Sequence, residues 1–378
     1  MLDIKLLFEK FSDIGINFYT GVPDSQLKAL CDYVTKEYGI GNNHIIAANE
    51  GAGVGLAAGH YLATGSPAVV YMQNSGIGNA INPICSLINE KVYQIPMLFV
   101  IGWRGQPGVK DEPQHIFQGE ITLKLLDCLN IPYFILKKDT TEDEMDSALK
   151  EANTALSQKK PFALVVQKGA LEMCDKVDYG NDYPLSREEI VKTIIDGMGE
   201  SDIVVSTTGK LSRELFEARE ERGECHKRDF LTVGSMGHSS MIAMGIAMEK
   251  PDRRVYCLDG DGASLMHMGS MAVLTSQQSK NLIHFVINNS AHETVGGMPT
   301  VSGNIDFPAL AKSVGYAHVF TATNAVELKA VISKLDGMSG PIFVEVKANL
   351  KSRADLGRPT TTPAQNKDDF MSFIKEIF

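Results

Sequence analysis

The chain has 378 residues, of which 44% are hydrophobic and 22% charged, a composition typical of a soluble globular enzyme. This length favours two or three domains, each with its own apolar core. The formal net charge of −10 argues against a nucleic-acid-binding surface, and no apolar stretch is long enough to span a bilayer. The cysteines, at 31, 85, 128, 174, 225 and 257, lack the spacing of a metal site. We therefore expect reduced thiols in a cytoplasmic protein that binds neither nucleic acid nor membrane.

Helical and strand patterns alternate along the first half of the chain. A first helix is predicted over residues 3–12, and a small-residue helix follows Asn49. Buried strands are predicted at residues 17–21, 44–48, 68–72, 97–101 and 162–166. Strands that alternate with helices predict a parallel, doubly wound sheet. We assign this first domain to residues 1–172.

The second half repeats this organisation after a break. Periodicity lapses over residues 172–186, where turn residues and charges predict a linker. Further strands are predicted at residues 203–206, 230–233, 255–258, 283–287 and 342–346. These strands predict a second domain over residues 186–378, so the fold class is α/β with two doubly wound parallel-sheet domains.

The most informative stretch covers residues 254–298. An apolar strand stops at a Gly-Asp-Gly turn around Asp261, and a helical pattern follows over residues 265–275. A second apolar strand then ends at Asn288 and Asn289. In open α/β sheets, ligands bind at the carboxyl ends of the strands. Asp261 offers a carboxylate, Asn289 an amide oxygen and Ala291 a main-chain carbonyl, which are oxygens that Mg²⁺ takes. The flanking glycines let the backbone approach a phosphate, which the next helix N-terminus attracts.

A Gly-Asp-Gly turn followed at this distance by two asparagines resembles the thiamine-diphosphate motif of the 2-oxo acid decarboxylase superfamily. Residues 102–115, 288–301 and 352–363 together resemble phosphonopyruvate decarboxylases and, slightly less closely, sulfopyruvate decarboxylases. The resemblance runs through essentially the whole chain. It implies a pyrimidine-binding domain followed by a diphosphate-binding domain, without the middle domain that larger relatives carry.

The resemblance implies a cofactor site built on thiamine diphosphate and Mg²⁺. Asp261, Asn289 and the Ala291 carbonyl would hold the Mg²⁺ that grips the diphosphate. Met236 would keep the cofactor bent. Further contacts to the cofactor are expected from Gly234, Gly260, Gly262 and Ala263.

Proton transfer is expected to start at Glu50. By the resemblance, its carboxyl shares a proton with the aminopyrimidine ring of the cofactor; taken alone, Glu50 could equally be an acid favoured at a helix N-terminus. His115, His292 and Asp24 are the other predicted catalytic residues. Each histidine could instead be a hydrogen-bonded structural residue.

Binding of a phosphonate would require fixed cations and oriented N–H groups. We predict that Arg104 and at least one of Lys110, Arg353 and Arg358 bind it. Ser25 and Gln118 match active-site regions of the family and are predicted to contact the substrate. The alternative is that the basic residues are solvated surface charges.

The implied reaction is decarboxylation of 3-phosphonopyruvate to phosphonoacetaldehyde and CO₂, as in the biosynthesis of phosphonates such as 2-aminoethylphosphonate. The first alternative is a sulfopyruvate decarboxylase that forms sulfoacetaldehyde. Because sulfopyruvate enzymes are often split into two chains, this fused chain favours phosphonopyruvate. A second alternative is a thiamine-diphosphate-binding protein without decarboxylase activity, but such a protein would not need both Glu50 and Met236. The superfamily places active sites between subunits, so we expect a homodimer as the minimum assembly, with a tetramer as the alternative.

Overall fold

The protein, as described by a computed structural model over residues 1–172 and 177–376, divides into two compact units, Met1–Asp178 and Tyr179–Phe378. Cys174 and the other residues of 173–176, within the predicted linker, lie outside the described residues. Within the described ranges, no helix is long and apolar enough to cross a membrane.

The first unit is built on a six-stranded parallel sheet. Its strands are β1 (Tyr19–Gly21), β2 (His44–Ile46), β3 (Val69–Gln73), β4 (Leu98–Gly102), β5 (Tyr133–Leu136) and β6 (Phe162–Val166). Its helices are α1 (Ile4–Asp13), α2 (Lys28–Tyr38), α3 (Glu50–Thr64), α4 (Ile77–Pro83), α5 (Pro113–Cys128) and α6 (Glu142–Ser157). β4 and β6 are buried along their whole length, as expected of parallel strands covered on both faces.

The strand order of this first sheet is β2-β1-β3-β4-β6-β5. The chain leaves β1 towards β2 on one side and returns to β3 on the other, so the order reverses between β1 and β3. In open α/β sheets, ligands bind outside the carboxyl ends of the strands at such a reversal. Here those ends lead into Asp24 and Asn74.

The second unit contains another six-stranded parallel sheet. Its strands are β7 (Ile203–Ser206), β8 (Asp229–Leu231), β9 (Val255–Gly260), β10 (Leu282–Asn288), β13 (His318–Ala322) and β14 (Ile342–Lys347), and two short strands, β11 (Ala291–His292) and β12 (Met298–Pro299), form an antiparallel pair. Its helices are α7 (Arg187–Asp196), α8 (Lys210–Glu221), α9 (Ser239–Glu249), α10 (Asp261–Met266), α11 (Gly269–Ser276), α12 (Phe307–Val314), α13 (Ala325–Leu335) and α14 (Pro363–Phe373).

The second sheet has the order β13-β14-β10-β9-β7-β8, which reverses between β7 and β9. Ile287 of β10 lies opposite Gly260 of β9. The residues that follow this pair, Asn288 and Asp261, therefore lie side by side at the carboxyl edge of the sheet. This register brings the Gly-Asp-Gly turn and the paired asparagines to one place, as the sequence predicted.

The predicted fold class, two doubly wound parallel-sheet domains, is confirmed. The predicted strands are all present, with ends shifted by at most two residues. The helix predicted across residues 265–275 is wrong as a single element: it is two helices, α10 and α11. The chain leaves the helical region at His267, where φ is −131° and ψ is 50°.

Candidate active site

Glu50 is the first residue of α3 and follows β2 closely. The side chain of Asn49 caps this helix by accepting a hydrogen bond from the amide of Ala52 at 2.8 Å. The Glu50 side chain is 5% exposed, and Asn79 Nδ2 donates to its Oε2 at 2.8 Å. Within residues 1–172 and 177–376, no basic side chain pairs with it. Burial therefore raises the pKa of the Glu50 carboxyl, which favours its protonated form.

The position of the Glu50 carboxyl depends on Gly76. A Cβ atom at residue 76 would lie 2.4 Å from Glu50 Oε1, so any larger residue would displace the carboxyl. Gly76 lies between β3 and α4, and Asn79 lies in the first turn of α4. The sequence marked this segment as a strand end, but gave no sign that it contacts Glu50.

Asp24 lies at the reversal point of the first sheet and is fully buried. Its Oδ2 accepts a hydrogen bond from the amide of Gln26 at 2.7 Å, and Gln73 Nε2 donates to its Oδ1. Burial raises the pKa of this carboxyl, although these hydrogen bonds oppose the effect. Because Gln73 ends β3, the contact joins the carboxyl ends of β1 and β3.

Arg104 follows β4 and is held on two sides. Asp111 accepts hydrogen bonds from Arg104 Nε at 2.8 Å and from its Nη2. The opposite edge, Nη1, donates to Ser25 Oγ at 3.2 Å. Asn74 fixes the backbone of Arg104, since Asn74 Oδ1 accepts from the Arg104 amide and Asn74 Nδ2 donates to its carbonyl. The structure thus brings Arg104 and Ser25 together, beside Asp24 in the chain.

Asp111 was not among the predicted site residues. Besides binding Arg104, its carboxylate accepts hydrogen bonds from the amides of Gly105 and Glu112, each at 2.8 Å. These donors hold the pKa of the Asp111 carboxyl well below its usual range, against the opposing effect of burial. Asp111 is therefore a permanent anion that fixes the orientation of the Arg104 guanidinium.

His115 lies in the first turn of α5, next to the Arg104 loop. Gly105 has a φ of +67°, and a Cβ there would lie 1.8 Å from the His115 carbonyl oxygen, so the loop and helix pack backbone to backbone. Burial, assisted by the positive charge of Arg104, lowers the pKa of His115 to about 4. His115 is therefore neutral near pH 7. On the same helix the side chain of Gln118 is half-buried, and Lys110 in the preceding loop is exposed.

Asp261 is the central acid at the carboxyl edge of the second sheet, and its side chain is 3% exposed. Thr300 Oγ1 and Ser302 Oγ both donate to its Oδ2, at 2.5 and 2.9 Å. Burial raises the pKa of the Asp261 carboxyl. Among the residues that the structure describes, no basic side chain compensates its charge. A divalent cation would supply that compensation.

Asn288, the last residue of β10, and Asn289, which follows it, have different environments. Asn288 points into the core, where its Nδ2 donates to Glu345 Oε1 at 2.8 Å and its Oδ1 accepts from Ser302 Oγ at 3.0 Å. The Asn289 amide lies in the loop, where its Oδ1 accepts from the amide of Ala291 at 3.1 Å. Asn288 is therefore a structural residue, and Asn289 is the better candidate for a metal ligand.

Gly262 is surrounded by the predicted site residues Met236 and His292 and by Thr300, which contacts Asp261. A Cβ atom at residue 262 would lie 3.4 Å from Met236 Cε, from His292 Cε1 and from Thr300 Cγ2. Burial lowers the pKa of His292 to about 4, so this imidazole is also neutral near pH 7. Met236, His292 and Gly262, far apart in the sequence, thus meet at one place.

The loop before Met236 has the irregular backbone expected of a ligand-binding turn. Gly234 has a φ of +70° and Ser235 a φ of +47°. Thr208, which follows β7, accepts a hydrogen bond from the Gly234 amide at 2.9 Å on its Oγ1. The loop is therefore anchored at the reversal point of the second sheet.

The residues at this edge fit Mg²⁺ bound to a diphosphate. Asp261, Asn289 and Ala291 supply oxygen atoms, which Mg²⁺ prefers, and the buried carboxylate lacks a basic partner within the described ranges. Gly260 and Gly262 leave the turn without side chains, and Ala263 adds only a methyl group.

A separate buried cluster supports the strand below this turn. Cys257 Sγ, an Asp259 carboxylate oxygen and a ring nitrogen of His284 lie within 4.8 Å of one another. Asp259 accepts hydrogen bonds from the Gly260 amide at 3.0 Å and from Ser264 Oγ at 3.1 Å. The His284 ring is hydrogen-bonded to Tyr316 Oη at 2.8 Å. The cluster fixes the start of the Gly-Asp-Gly turn through the hydrogen bond from Gly260 to Asp259. The sequence did not predict this contact between β9 and β10.

The basic residues of the carboxyl-terminal tail lie on the surface of the second unit. Arg353 pairs with Glu188 of α7 at 2.8 Å, with Glu217 of α8, and with Asp355 at 3.3 Å. Arg358 is exposed. The structure therefore gives Arg353 three carboxylate partners, none of which is a predicted site residue.

Comparison with known proteins identifies both units. Residues 4–126 match the family described as "Thiamine pyrophosphate enzyme, N-terminal TPP binding domain", and residues 207–346 match its C-terminal TPP binding domain. A phosphonopyruvate decarboxylase of Streptomyces viridochromogenes is 31% identical over 99% of this chain and 95% of its own length. Another, from Streptomyces hygroscopicus, is 28% identical over 100% of this chain and 95% of its own.

A sulfopyruvate decarboxylase of Methanosarcina acetivorans is 24% identical over 90% of this chain and 89% of its own length. A single continuous chain therefore occurs under both names, although other sulfopyruvate decarboxylases are separate alpha and beta subunits. A preference for phosphonopyruvate in this fused chain therefore stays a prediction. Both TPP-binding domains and the full-length likeness at 31% identity lead to one conclusion: the chain belongs to the family of thiamine-diphosphate-dependent decarboxylases.

Proposed function

We propose that this protein decarboxylates 3-phosphonopyruvate to phosphonoacetaldehyde and CO₂ in phosphonate biosynthesis, with thiamine diphosphate and Mg²⁺. The observation that carries the choice of substrate is the guanidinium of Arg104. It is held by Asp111 at the carboxyl edge of the first sheet, with Nη1 directed to Ser25. A planar, permanently charged group with a fixed orientation suits the oxygens of a phosphonate.

Thiamine diphosphate supplies the carbon nucleophile and the electron sink that decarboxylation of a 2-oxo acid requires. We propose that Glu50 exchanges a proton with the aminopyrimidine, because burial favours its protonated form. Asp261, Asn289 and the Ala291 carbonyl would hold Mg²⁺. Gly234 and Met236 would position the cofactor, with Gly260, Gly262 and Ala263 facing the diphosphate.

His115, His292 and Asp24 are the proposed groups for proton transfer at the substrate. Both imidazoles are neutral at pH 7, because burial lowers their pKa values to about 4. A neutral imidazole donates a hydrogen bond through one nitrogen and accepts a proton at the other. Asp24 differs, since burial raises its pKa and favours a carboxyl that can deliver a proton.

Among the basic residues, we propose that Arg104 is the principal phosphonate ligand and that Lys110 is its first partner. Lys110 is exposed and lies in the same loop as Asp111. Arg353 would first have to leave three carboxylates, so its direct participation is less favoured than that of Lys110. Arg358 remains a candidate in the tail, and Ser25 and Gln118 would add uncharged hydrogen bonds.

A sulfopyruvate decarboxylase is the second candidate, supported by the single-chain relative of that name. A sulfonate carries one negative charge, whereas a phosphonate near neutral pH carries between one and two. Two cations, Arg104 and Lys110, at the carboxyl edge of the first sheet would therefore favour the phosphonate over the sulfonate. This difference makes the two substrates distinguishable by the effect of removing one cation.

We also propose that the protein assembles as a homodimer or a tetramer. Relatives named as separate alpha and beta subunits support multi-subunit assembly, such as the sulfopyruvate decarboxylase alpha subunit of Methanococcus maripaludis, which matches 43% of this chain. A cytoplasmic location stays a prediction from the sequence.

The experiment that tests the function measures CO₂ release from phosphonopyruvate, sulfopyruvate and pyruvate, with and without thiamine diphosphate and Mg²⁺. We expect cofactor-dependent release that is fastest with phosphonopyruvate, together with an equal amount of phosphonoacetaldehyde. Faster release from sulfopyruvate would assign the alternative activity. No release from any of the three would contradict the proposal.

A further inference from the structure

The side-chain amide of Asn289 has two ends of similar shape but opposite chemistry. Its oxygen accepts hydrogen bonds and can bind a cation, whereas its NH₂ group only donates. Rotation of the amide by half a turn would replace the oxygen by the NH₂ group. A metal site that uses this oxygen therefore needs neighbours that distinguish the two ends.

Two neighbours distinguish them here. Asn289 Nδ2 donates to Glu293 Oε2 at 3.0 Å, and Asn289 Oδ1 accepts from the Ala291 amide at 3.1 Å. In the rotated amide, the oxygen would face a carboxylate and the NH₂ group would face an N–H group. Both contacts would be repulsive. The carboxylate of Glu293 is the charged member of this pair of neighbours.

Glu293 is itself held by two cations. Arg187 Nη1 donates to Glu293 Oε2 at 2.5 Å, and Lys210 Nζ donates to Oε1 at 3.2 Å. Its side chain is 8% exposed, so this carboxylate has little freedom to move. These contacts join Asn289 to the first residues of α7 and α8.

Arg187 holds a second carboxylate on its other edge. Its Nε and Nη2 donate to the two oxygens of Glu214, at 2.5 and 2.7 Å, and the Glu214 side chain is 2% exposed. Two cations, Arg187 and Lys210, therefore balance two acids, Glu214 and Glu293. Buried ion pairs add little stability over apolar residues of the same size, so a charge network in this place calls for another role.

We propose that Glu293, fixed by Arg187 and Lys210, is a positioning residue that sets the amide of Asn289 so that its oxygen faces Mg²⁺. This inference rests on the proposed metal site. In metal sites, residues that orient the ligands typically change metal affinity by about tenfold to a hundredfold when removed. Glu293 contacts neither the metal nor the substrate in this scheme.

The test measures Mg²⁺ binding by calorimetry with thiamine diphosphate present. Glu293→Gln keeps the size of the side chain but removes its charge, and Glu293→Ala removes the acceptor. We expect Mg²⁺ affinity to fall by about tenfold to a hundredfold in the alanine variant and by less in the glutamine variant. Glu224→Ala is the matched control, because Glu224 pairs with Arg219, Arg222 and Arg228 in the same unit. Its Mg²⁺ affinity should equal that of the parent.

A second background separates positioning from a merely structural role. Asn289→Asp replaces the amide by a carboxylate whose two oxygens are equivalent, so orientation no longer matters. In that background the charge of Glu293 only repels its neighbour. We expect Glu293→Gln to leave Mg²⁺ affinity unchanged or to strengthen it. The same loss in both backgrounds would overturn the proposal, as would unchanged affinity in Glu293→Ala. A parent protein that binds no Mg²⁺ would refute the proposed metal site itself.

Discussion

The carboxyl edges of the two sheets each hold a buried acid, but the neighbours of these acids differ. Burial raises the pKa of both Glu50 and Asp261. Glu50 receives one hydrogen bond from the amide of Asn79, whereas Asp261 receives two from hydroxyl groups. Asp261 also lies next in space to the loop that carries Asn289. Similar buried carboxyls are therefore suited to different tasks: Glu50 to proton exchange, and Asp261 to metal binding.

The largest expected effect follows from changing Glu50. Glu50→Gln keeps the size of the side chain and can still bond Asn79, but it cannot exchange a proton. We expect the rate of CO₂ release to fall by about 10²–10⁴-fold, the range typical of acid–base groups. Affinity for thiamine diphosphate should change little. Steady-state kinetics and calorimetry check both, with Glu90→Gln as the control, because the Glu90 side chain is 41% exposed and pairs with Lys160. Near-parental turnover would remove Glu50 from the mechanism.

The second effect concerns the metal-binding edge. Asp261→Asn should weaken Mg²⁺-dependent binding of thiamine diphosphate by at least about a hundredfold, since it alters a direct ligand. Without the cofactor, the free energy of unfolding of this variant should equal or exceed that of the parent. The substitution removes the buried charge of Asp261, which has no basic partner among the described residues. Calorimetry and urea unfolding measure the two quantities. Destabilisation with unchanged affinity would make Asp261 a structural residue only.

A third, smaller effect concerns the positive charge of Arg104 at the carboxyl edge of the first sheet. Arg104→Ala should cost about 1.5–3 kcal/mol in the capture of phosphonopyruvate, the range of a charge-assisted hydrogen bond. This cost lowers kcat/KM by roughly tenfold to a hundredfold. Pyruvate, which lacks the phosphonate, should be affected much less. Asp111→Asn should show the same selectivity with a smaller loss, since the Arg104 guanidinium remains and loses only the carboxylate that orients it. Equal losses on the two substrates would mean that Arg104 supports the fold alone.

The smallest effect is on stability and comes from His115. The folded protein protonates His115 only near pH 4, whereas the unfolded chain does so near 6.5. The free energy of unfolding should therefore fall as pH decreases from 6.5 to 4, because acid protonates the unfolded chain first. His115→Gln should reduce this decrease. Urea unfolding at pH 7 and pH 5 compares the two proteins, and equal pH dependence would contradict the assignment.

The sequence predicted most strands because buried parallel strands are continuous apolar runs that end at turn residues. Within the two parallel sheets, the strands that it did not single out are β5 and β13. Each is the outermost strand on one side of its sheet and is only partly buried. Their apolar signal is correspondingly weaker. Asp24, Asp261 and Asn289 follow predicted strands in the sequence, and the structure places them at the carboxyl edges of the two sheets.

The partners of the site residues could not be predicted in the same way. Asn79 lies 29 residues from Glu50, and Thr300 lies 39 residues from Asp261. Which loops meet depends on strand order, and composition does not reveal that order. Glu293, only four residues from Asn289, was also missed, because its role depends on Arg187, which lies 106 residues away.

Hydrogen–deuterium exchange at the thiazolium carbon of thiamine diphosphate is the most direct test of the two proposed roles, proton exchange by Glu50 and metal binding by Asp261. It would be followed in the parent, Glu50→Gln and Asp261→Asn proteins at several cofactor concentrations. We expect fast exchange in the parent and slow exchange in Glu50→Gln even when the cofactor is fully bound. In Asp261→Asn, exchange should recover as the cofactor concentration rises. Exchange in Glu50→Gln as fast as in the parent, with the cofactor bound, would contradict proton exchange by Glu50.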